Sequence, residues 1–331
     1  MKLKGKNVLV TGAGGFIGSH LVEELLKSGC KVKALVKYNS RNFWGWMEEI
    51  YADINNRKNL EIIPGDITDA VMVKKALEGC DAVFHLAALI AIPYSYSAPY
   101  SYVDVNVKGT LNVLQAGLEC RVKKIVHTST SEVYGSALYT PMDENHPLQA
   151  QSPYAATKIA GDKLAESFFN SFDLPVAIIR PYNTFGPRQS ARAVIPATIT
   201  QALKSDVIRL GSISPVRDFN YVKNTVNAFI AIAESDKTAG EVINFGSGIG
   251  ITVEEVIGKI GKLMGKKIKV ETDEKRIRPD KSEVLQLICD SSKAKRFLNW
   301  EPKYSLEQGL SETIEWIKNN QDKYKTEIYN V

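Results

Sequence analysis

Through the first half of the chain, short apolar runs alternate with amphipathic stretches. The runs at Asn7–Thr11, Val32–Val36, Leu60–Ile63, Ala82–Leu86, Lys124–Thr128 and Val176–Arg180 are bounded by turn residues and are too short for buried helices, so they read as strands. The stretches between them carry apolar residues at helical spacing and predict helices over Phe16–Lys27, Ala70–Leu77, Tyr100–Glu119 and Tyr154–Ser171. Strands that are apolar on both faces, alternating with helices, predict an α/β protein whose parallel sheet is covered on each side. Right-handed crossovers then make that sheet doubly wound.

The texture changes after Arg180. Residues 181–196 are rich in Pro, Asn, Gly and Arg, which predicts a functional loop. Helices are expected near Ile195–Lys204, Asn224–Ser235, Thr252–Met264 and Leu306–Asn319, and the tail after Asn320 is expected to fray. The division predicted is a dinucleotide-binding domain over 1–180 and a smaller, mainly substrate-binding C-terminal lobe over 181–331. Segments near 217–247 are expected to return to the first domain.

Composition narrows the class. The 331 residues are 44% hydrophobic and 24% charged, ordinary for a globular chain with a large core. A net charge of +5 without a lysine or arginine block suits an anionic small molecule and argues against nucleic acid. Cys30, Cys80, Cys120 and Cys289 are scattered with no CxxC pair, as expected of reduced thiols rather than disulfides or zinc. The first strand begins at Asn7 and the most apolar run, Ala82–Pro93, is too short to span a bilayer, so a cytoplasmic protein is expected. His20, His127 and His146 have no partner at metal spacing, His85 ends a strand, and no metal is expected.

Gly12-x-x-Gly15-x-x-Gly18 directly follows the first strand and opens the first helix. Side chains there would block a pyrophosphate from the helix N-terminus, where the amides of Phe16, Ile17 and Gly18 and the helix dipole favour anions. In this context a dinucleotide site outweighs a bare tight turn. The second strand runs into Lys37 and Tyr38, with Arg41 beyond, and has no acid to hold a free ribose 2′-hydroxyl. Lys37 and Arg41 would suit a 2′-phosphate, which favours NADP over NAD, unless both are solvated loop cations. Asp66 is a candidate for the adenine amine or an ordinary turn aspartate, and Ile67 and Ala87 complete the expected cofactor contacts.

Tyr154 and Lys158 lie one turn apart on a predicted helix. A phenol is a poor base at neutral pH unless a nearby cation stabilises its phenolate, and Lys158 can supply that charge. The chain is here identified as resembling the extended short-chain dehydrogenase/reductases. The resemblance is carried by Thr11–Gly18, His85-Leu86-Ala87-Ala88, Asn106–Thr110, Tyr154–Lys158 and Arg180–Arg188, and covers essentially the whole chain. It implies a Rossmann-type fold, a tightly held and recycled nicotinamide cofactor, and a homodimer paired through the helices Tyr100–Glu119 and Tyr154–Ser171.

Ser129-Thr130-Ser131-Glu132 resembles the Thr-Asp-Glu or Thr-Ser-Glu strip of sugar-nucleotide 4,6-dehydratases. The resemblance implies that Thr130 bonds the sugar O4 beside Tyr154 and that Glu132 removes the C5 proton once C4 is a ketone. Ser131 stands where glucose-type enzymes place an acidic Asp, as in GDP-mannose dehydratases, so Glu132 or a water would protonate the leaving hydroxyl. Arg217 and Arg278 match family positions for the nucleotide diphosphate, with Asn183 and Arg188 as further substrate-binding candidates. The stretches 38–46, 91–96 and 189–196 resemble most the legionaminic-acid-pathway dehydratases, which act on nucleotide-linked N-acetylglucosamine. Trp44 and Trp46 would then either lid the site or simply pack. A C4 epimerase, which needs the Tyr/Lys pair without Glu132, is the alternative. A non-catalytic NADP-binding regulator is the second.

Overall fold

The computed structural model describes residues 1–325. Seven parallel strands form the central sheet: β1 (Asn7–Thr11), β2 (Lys31–Lys37), β3 (Leu60–Gly65), β4 (Ala82–His85), β5 (Lys124–Thr128), β6 (Val176–Pro181) and β7 (Val242–Phe245). Their spatial order is β7-β6-β5-β4-β1-β2-β3. The chain reverses direction across the sheet between β1 and β4, and the carboxyl ends of these two strands open the crevice where such sheets bind ligands.

The strands are apolar on both faces because both faces are covered. Val8 and Val10 of β1 and Val126 of β5 share one core with α1 (Phe16–Lys27) and α5 (Val222–Glu234). Leu9 and Ile125 point the other way, into a core with α2 (Ala70–Leu77), α3 (Gly109–Glu119) and α4 (Pro153–Phe172).

The run expected as one helix over Tyr100–Glu119 is divided: a helical turn at Pro99–Tyr102 and a π-helical segment at Val103–Lys108 precede α3. The cause is Asn106, whose buried amide accepts from Leu89 N at 2.8 Å and donates to Leu89 O and Thr157 Oγ1 at 3.0 and 3.1 Å. One extra residue in that turn lets a polar side chain reach inward without breaking the helix axis.

Beyond β6, a three-stranded sheet joins Gly250–Thr252, Val216–Asp218 and Gln286–Leu287, and helices Val194–Ala202, Val253–Met264 and Leu306–Asn319 pack around it and α5. The last two helices begin with capping boxes, Thr252 with Glu255 and Ser305 with Gln308. Fraying after Asn320 is not seen as far as residue 325. Gln321–Lys323 forms a 3-10 turn and Tyr324 donates to Gln189 O at 3.0 Å, its ring packed beside Trp316. The rest of that tail lies outside the described residues.

Candidate active site

Thr11 joins the ends of the two strands that frame the crevice. Its Oγ1 accepts from Leu86 N and Ala87 N, each at 3.1 Å. The next residue, Gly12, has φ +71°, and a Cβ on it would lie 2.8 Å from Ala87 N. A Cβ on Gly18 would lie 2.3 Å from Gly12 O. Gly15 caps α1 without a side-chain bond, and the first turn holds no acid. The amides of Phe16, Ile17 and Gly18 therefore face the crevice with the positive end of the helix behind them, a cradle that fits a pyrophosphate. Trp44 and Trp46 reinforce this loop rather than cover it: Trp46 N donates to Gly14 O at 3.1 Å, and Trp46 packs edge-on against Trp316.

Lys37 and Arg41 are exposed at the end of β2, in a loop closed by Asn39, whose Oδ1 accepts from Arg41 N and Phe43 N. Asp66 accepts from Thr68 N and Oγ1 at 2.9 and 2.8 Å. The Thr68 amide, with help from its hydroxyl and Lys37, holds that carboxyl below its ordinary value. Ile67 is buried beneath Gly109.

Ser152 caps α4, its hydroxyl accepting from Ala155 N at 3.1 Å, with Pro153 starting the helix. Tyr154 and Lys158 then face inward together, both buried. Burial pushes the Tyr154 hydroxyl well up; the hydrogen bond with Thr130 opposes this and the charge of Glu132 adds to it. Burial pulls Lys158 down to about 8, against the attraction of Asp162. The ammonium donates to Thr128 O at 2.5 Å.

Thr130 ends the strip that follows β5 and caps the turn Ser131–Tyr134, accepting from Glu132 N at 3.2 Å. Ser131 is buried, whereas Glu132 is half-buried, and its carboxylate acts electrostatically on both Tyr154 and Arg217. The structure thus brings Thr130, Glu132, Tyr154, Lys158 and Arg217 into one place. Arg217 is buried and donates to Glu283 Oε1 at 3.2 Å, while Arg278 lies 3.8 Å from the same oxygen. The neighbouring Asp218 anchors this strand by accepting from Ser247 N and Oγ, Gly248 N and Cys289 N. Asn183 keeps a buried amide oxygen with no partner. Arg188 goes elsewhere: it forms a two-pronged bond to Glu23 of α1, at 2.9 Å on each prong, and so fastens the loop 181–196 to the dinucleotide half.

Sequence reasoning passed over the group behind Lys158. His127, set aside for want of a metal partner, lies 3.4 Å from Asp162, which also accepts from Ser129 and Arg180. The available signal was helical spacing: Asp162 follows Lys158 by one turn, as Lys158 follows Tyr154.

A glycine cradle at a strand-order reversal, with a buried Tyr/Lys pair across from it, defines a short-chain dehydrogenase/reductase of the extended, nucleotide-sugar type. Residues 9–313 match the GDP-mannose 4,6 dehydratase family, and the chain belongs to that family. It is 33% identical over 318 residues to the UDP-glucose 4-epimerase of Mycolicibacterium smegmatis, covering 94% of this chain and 98% of that one. Among solved structures it is similar to the dTDP-glucose 4,6-dehydratase DesIV of Streptomyces venezuelae with NAD bound, at 30% identity and TM-score 0.86, covering 96% of this chain and 99% of the other. It is also similar to the UDP-N-acetylglucosamine 4-epimerase of Methanobrevibacter ruminantium, in complex with UDP-N-acetylmuramic acid, at 34% identity and TM-score 0.85, covering 96% and 99%. The chain is therefore an enzyme of the nucleotide-sugar dehydratase and epimerase group, an NAD(P)-dependent family. Among the described residues no helix is long and apolar enough to cross a membrane.

Proposed function

We propose that this enzyme is a nucleotide-sugar 4,6-dehydratase acting on a UDP- or GDP-linked N-acetylglucosamine, in the role of the legionaminic-acid-pathway enzymes. The observation that carries the reading is the position of Glu132, held in the turn that Thr130 caps and near enough to Tyr154 and Arg217 for its charge to act on both. A base there faces a sugar whose O4 meets Tyr154 and whose diphosphate meets Arg217.

A nicotinamide cofactor bound there would supply hydride chemistry, an acceptor at C4 and a donor at C6. Gly12, Gly15, Gly18 and the amides of Phe16 and Ile17 would hold its pyrophosphate, with Lys37, Arg41, Asp66, Ile67 and Ala87 toward the adenosine half. Lys37 and Arg41, with no acid at the end of β2, support a preference for NADP in this chain, although DesIV was solved with NAD.

Tyr154 takes the O4 proton while Thr130 holds O4 in place and Lys158 stabilises the phenolate. Glu132 then removes the C5 proton, made acidic by the C4 ketone, and the C6 hydroxyl leaves as water. Ser131 is buried on the same strip and too weak an acid to drive that departure, so Glu132 passes the proton on, directly or through a water. The proton that C5 needs when hydride returns at C6 comes from solvent, balancing the O4 proton given up through Tyr154. Arg217, Arg278 and Asn183 grip the diphosphate, and Arg217 and Arg278 are released from Glu283 as they do so. Arg188 keeps the loop closed through Glu23. The two lobes, 1–180 with segments of 217–247 and the remainder to 331, divide cofactor from sugar nucleotide. The protein works as a cytoplasmic homodimer.

Incubation with UDP- and with GDP-N-acetylglucosamine tests the reading by mass. Loss of one water from either supports it, and an unchanged mass with inversion at C4 supports the second reading, a C4 epimerase. That reading is favoured by the epimerases among the similar proteins, and it leaves Glu132 without a task.

A further inference from the structure

Behind the Tyr/Lys pair lies a buried ionic cluster that the chemistry above does not use. Asp162, fully buried on α4, receives three bonds on Oδ2: from Ser129 Oγ at 2.7 Å, Arg180 Nε at 3.2 Å and Arg180 Nη2 at 2.9 Å. Its Oδ1 lies 3.4 Å from His127 Nε2, and neither atom has a hydrogen-bond partner. Arg180 extends the cluster, with Nη1 donating to the Tyr134 hydroxyl at 2.9 Å and the guanidinium 4.9 Å over the Tyr134 ring. That hydroxyl donates to Asn244 Oδ1 at 2.7 Å.

Each partner belongs to a piece of the site. Ser129 immediately precedes Thr130, Tyr134 ends the turn that carries Glu132, and Arg180 is the last but one residue of β6, just before the loop of Asn183. A buried ion cluster contributes little net stability compared with apolar packing, but it admits few geometries. Here those geometries fix the relative positions of β5, α4, β6 and β7.

We propose that Asp162 is a positioning residue of the reaction: its carboxylate ties the strip of Thr130 and Glu132 to the helix of Tyr154 and Lys158, and it is the counter-charge of Lys158. This rests on the role given above to Tyr154 and Lys158, which a 4,6-dehydratase and a C4 epimerase share. The groups around Lys158 are Tyr154 and Asp162 on α4, His85 on β4, His127 on β5 and, beyond Asp162, Arg180 on β6. Burial holds both histidines uncharged at neutral pH, so Asp162 is the anion among these groups, bonded directly to Arg180 and acting on Lys158 one helical turn away.

Asp162→Asn keeps the shape and removes the charge. Lys158 then loses its proton at lower pH, and Tyr154, no longer facing that anion, titrates lower as well. Both limbs of the kcat–pH profile should move toward acid by about one pH unit. Damage to the fold alone lowers the plateau and leaves the limbs in place. Asp162→Glu should return the limbs toward their original positions. Ser129→Ala removes the tie but not the charge, and should lower kcat by roughly ten- to a hundredfold with KM nearly constant and the limbs unmoved.

Turnover is measured on UDP- and on GDP-N-acetylglucosamine, and the pH dependence of the NAD dissociation constant is measured in parallel without sugar. If the wild type leaves both sugars untouched, the result counts against the function proposed above, and the NAD profile alone decides this inference. Limbs and NAD profile that stay in place in folded Asp162→Asn would overturn it. If that variant does not fold, wild-type kcat in Ser129→Ala would overturn it.

Discussion

Burial pushes the Tyr154 phenol well up, favouring its protonated form, and draws the Lys158 ammonium down to about 8, favouring loss of its proton. The reaction needs the opposite of each, so the local charges decide whether the pair works. Lys158 is cationic below about pH 8 and loses its charge as the pH rises through that value. Turnover should therefore fall on the alkaline side in that region, in a step of one proton. Tyr154→Phe should cost ~10²–10⁴ in kcat, with no reduced cofactor formed on mixing, because the O4 proton has no acceptor. Stopped-flow absorbance checks both. At the other end of the cofactor site, exposed Lys37 and Arg41 predict tighter binding of NADP than of NAD. Titration calorimetry gives both constants, and tighter NAD would count those residues as ordinary loop cations.

At the scale of the element, the glycine loop is a packing device as much as a binding one. A methyl on Gly18 would press on Gly12 O and Ala13 Cα, backbone atoms that cannot yield. Gly18→Ala should cost about 1–3 kcal/mol in urea unfolding and weaken dinucleotide binding together. Gly258→Ala, where nothing lies within 4 Å, should instead stabilise its helix by up to about 1 kcal/mol. The same loop shows how much the sequence disclosed. The bounds of β1, β5, α1 and α2 follow from apolar periodicity and punctuation, because these elements are regular and bury one continuous face. The π-helical segment does not, because it depends on Asn106 finding Leu89 and Thr157 across the fold. For the same reason motif spacing could nominate Arg188 and Arg217 alike. Only the fold commits one to Glu23 on α1 and brings the other to the site beside Glu132.

At the scale of the whole molecule, Val103, Leu111 and Phe172 lie exposed along the segments α3 and α4 and the π-helical turn before α3. Apolar surface on two neighbouring helices favours pairing with a second copy into a four-helix bundle. Sedimentation at micromolar concentration should give a dimer, and a monomer would assign those faces to solvent. For the 4,6-dehydratase proposed, the cycle is likewise a property of the whole enzyme, since the hydride taken at C4 has to return at C6 while the sugar stays in place. In that cycle Glu132 opens the elimination step. Rapid mixing of Glu132→Gln with UDP- or GDP-N-acetylglucosamine, followed by absorbance and mass together, tests that role most directly. Reduced cofactor should accumulate to the enzyme concentration while no water is lost, because an amide cannot accept the C5 proton. Dehydration at the wild-type rate by Glu132→Gln would contradict that role.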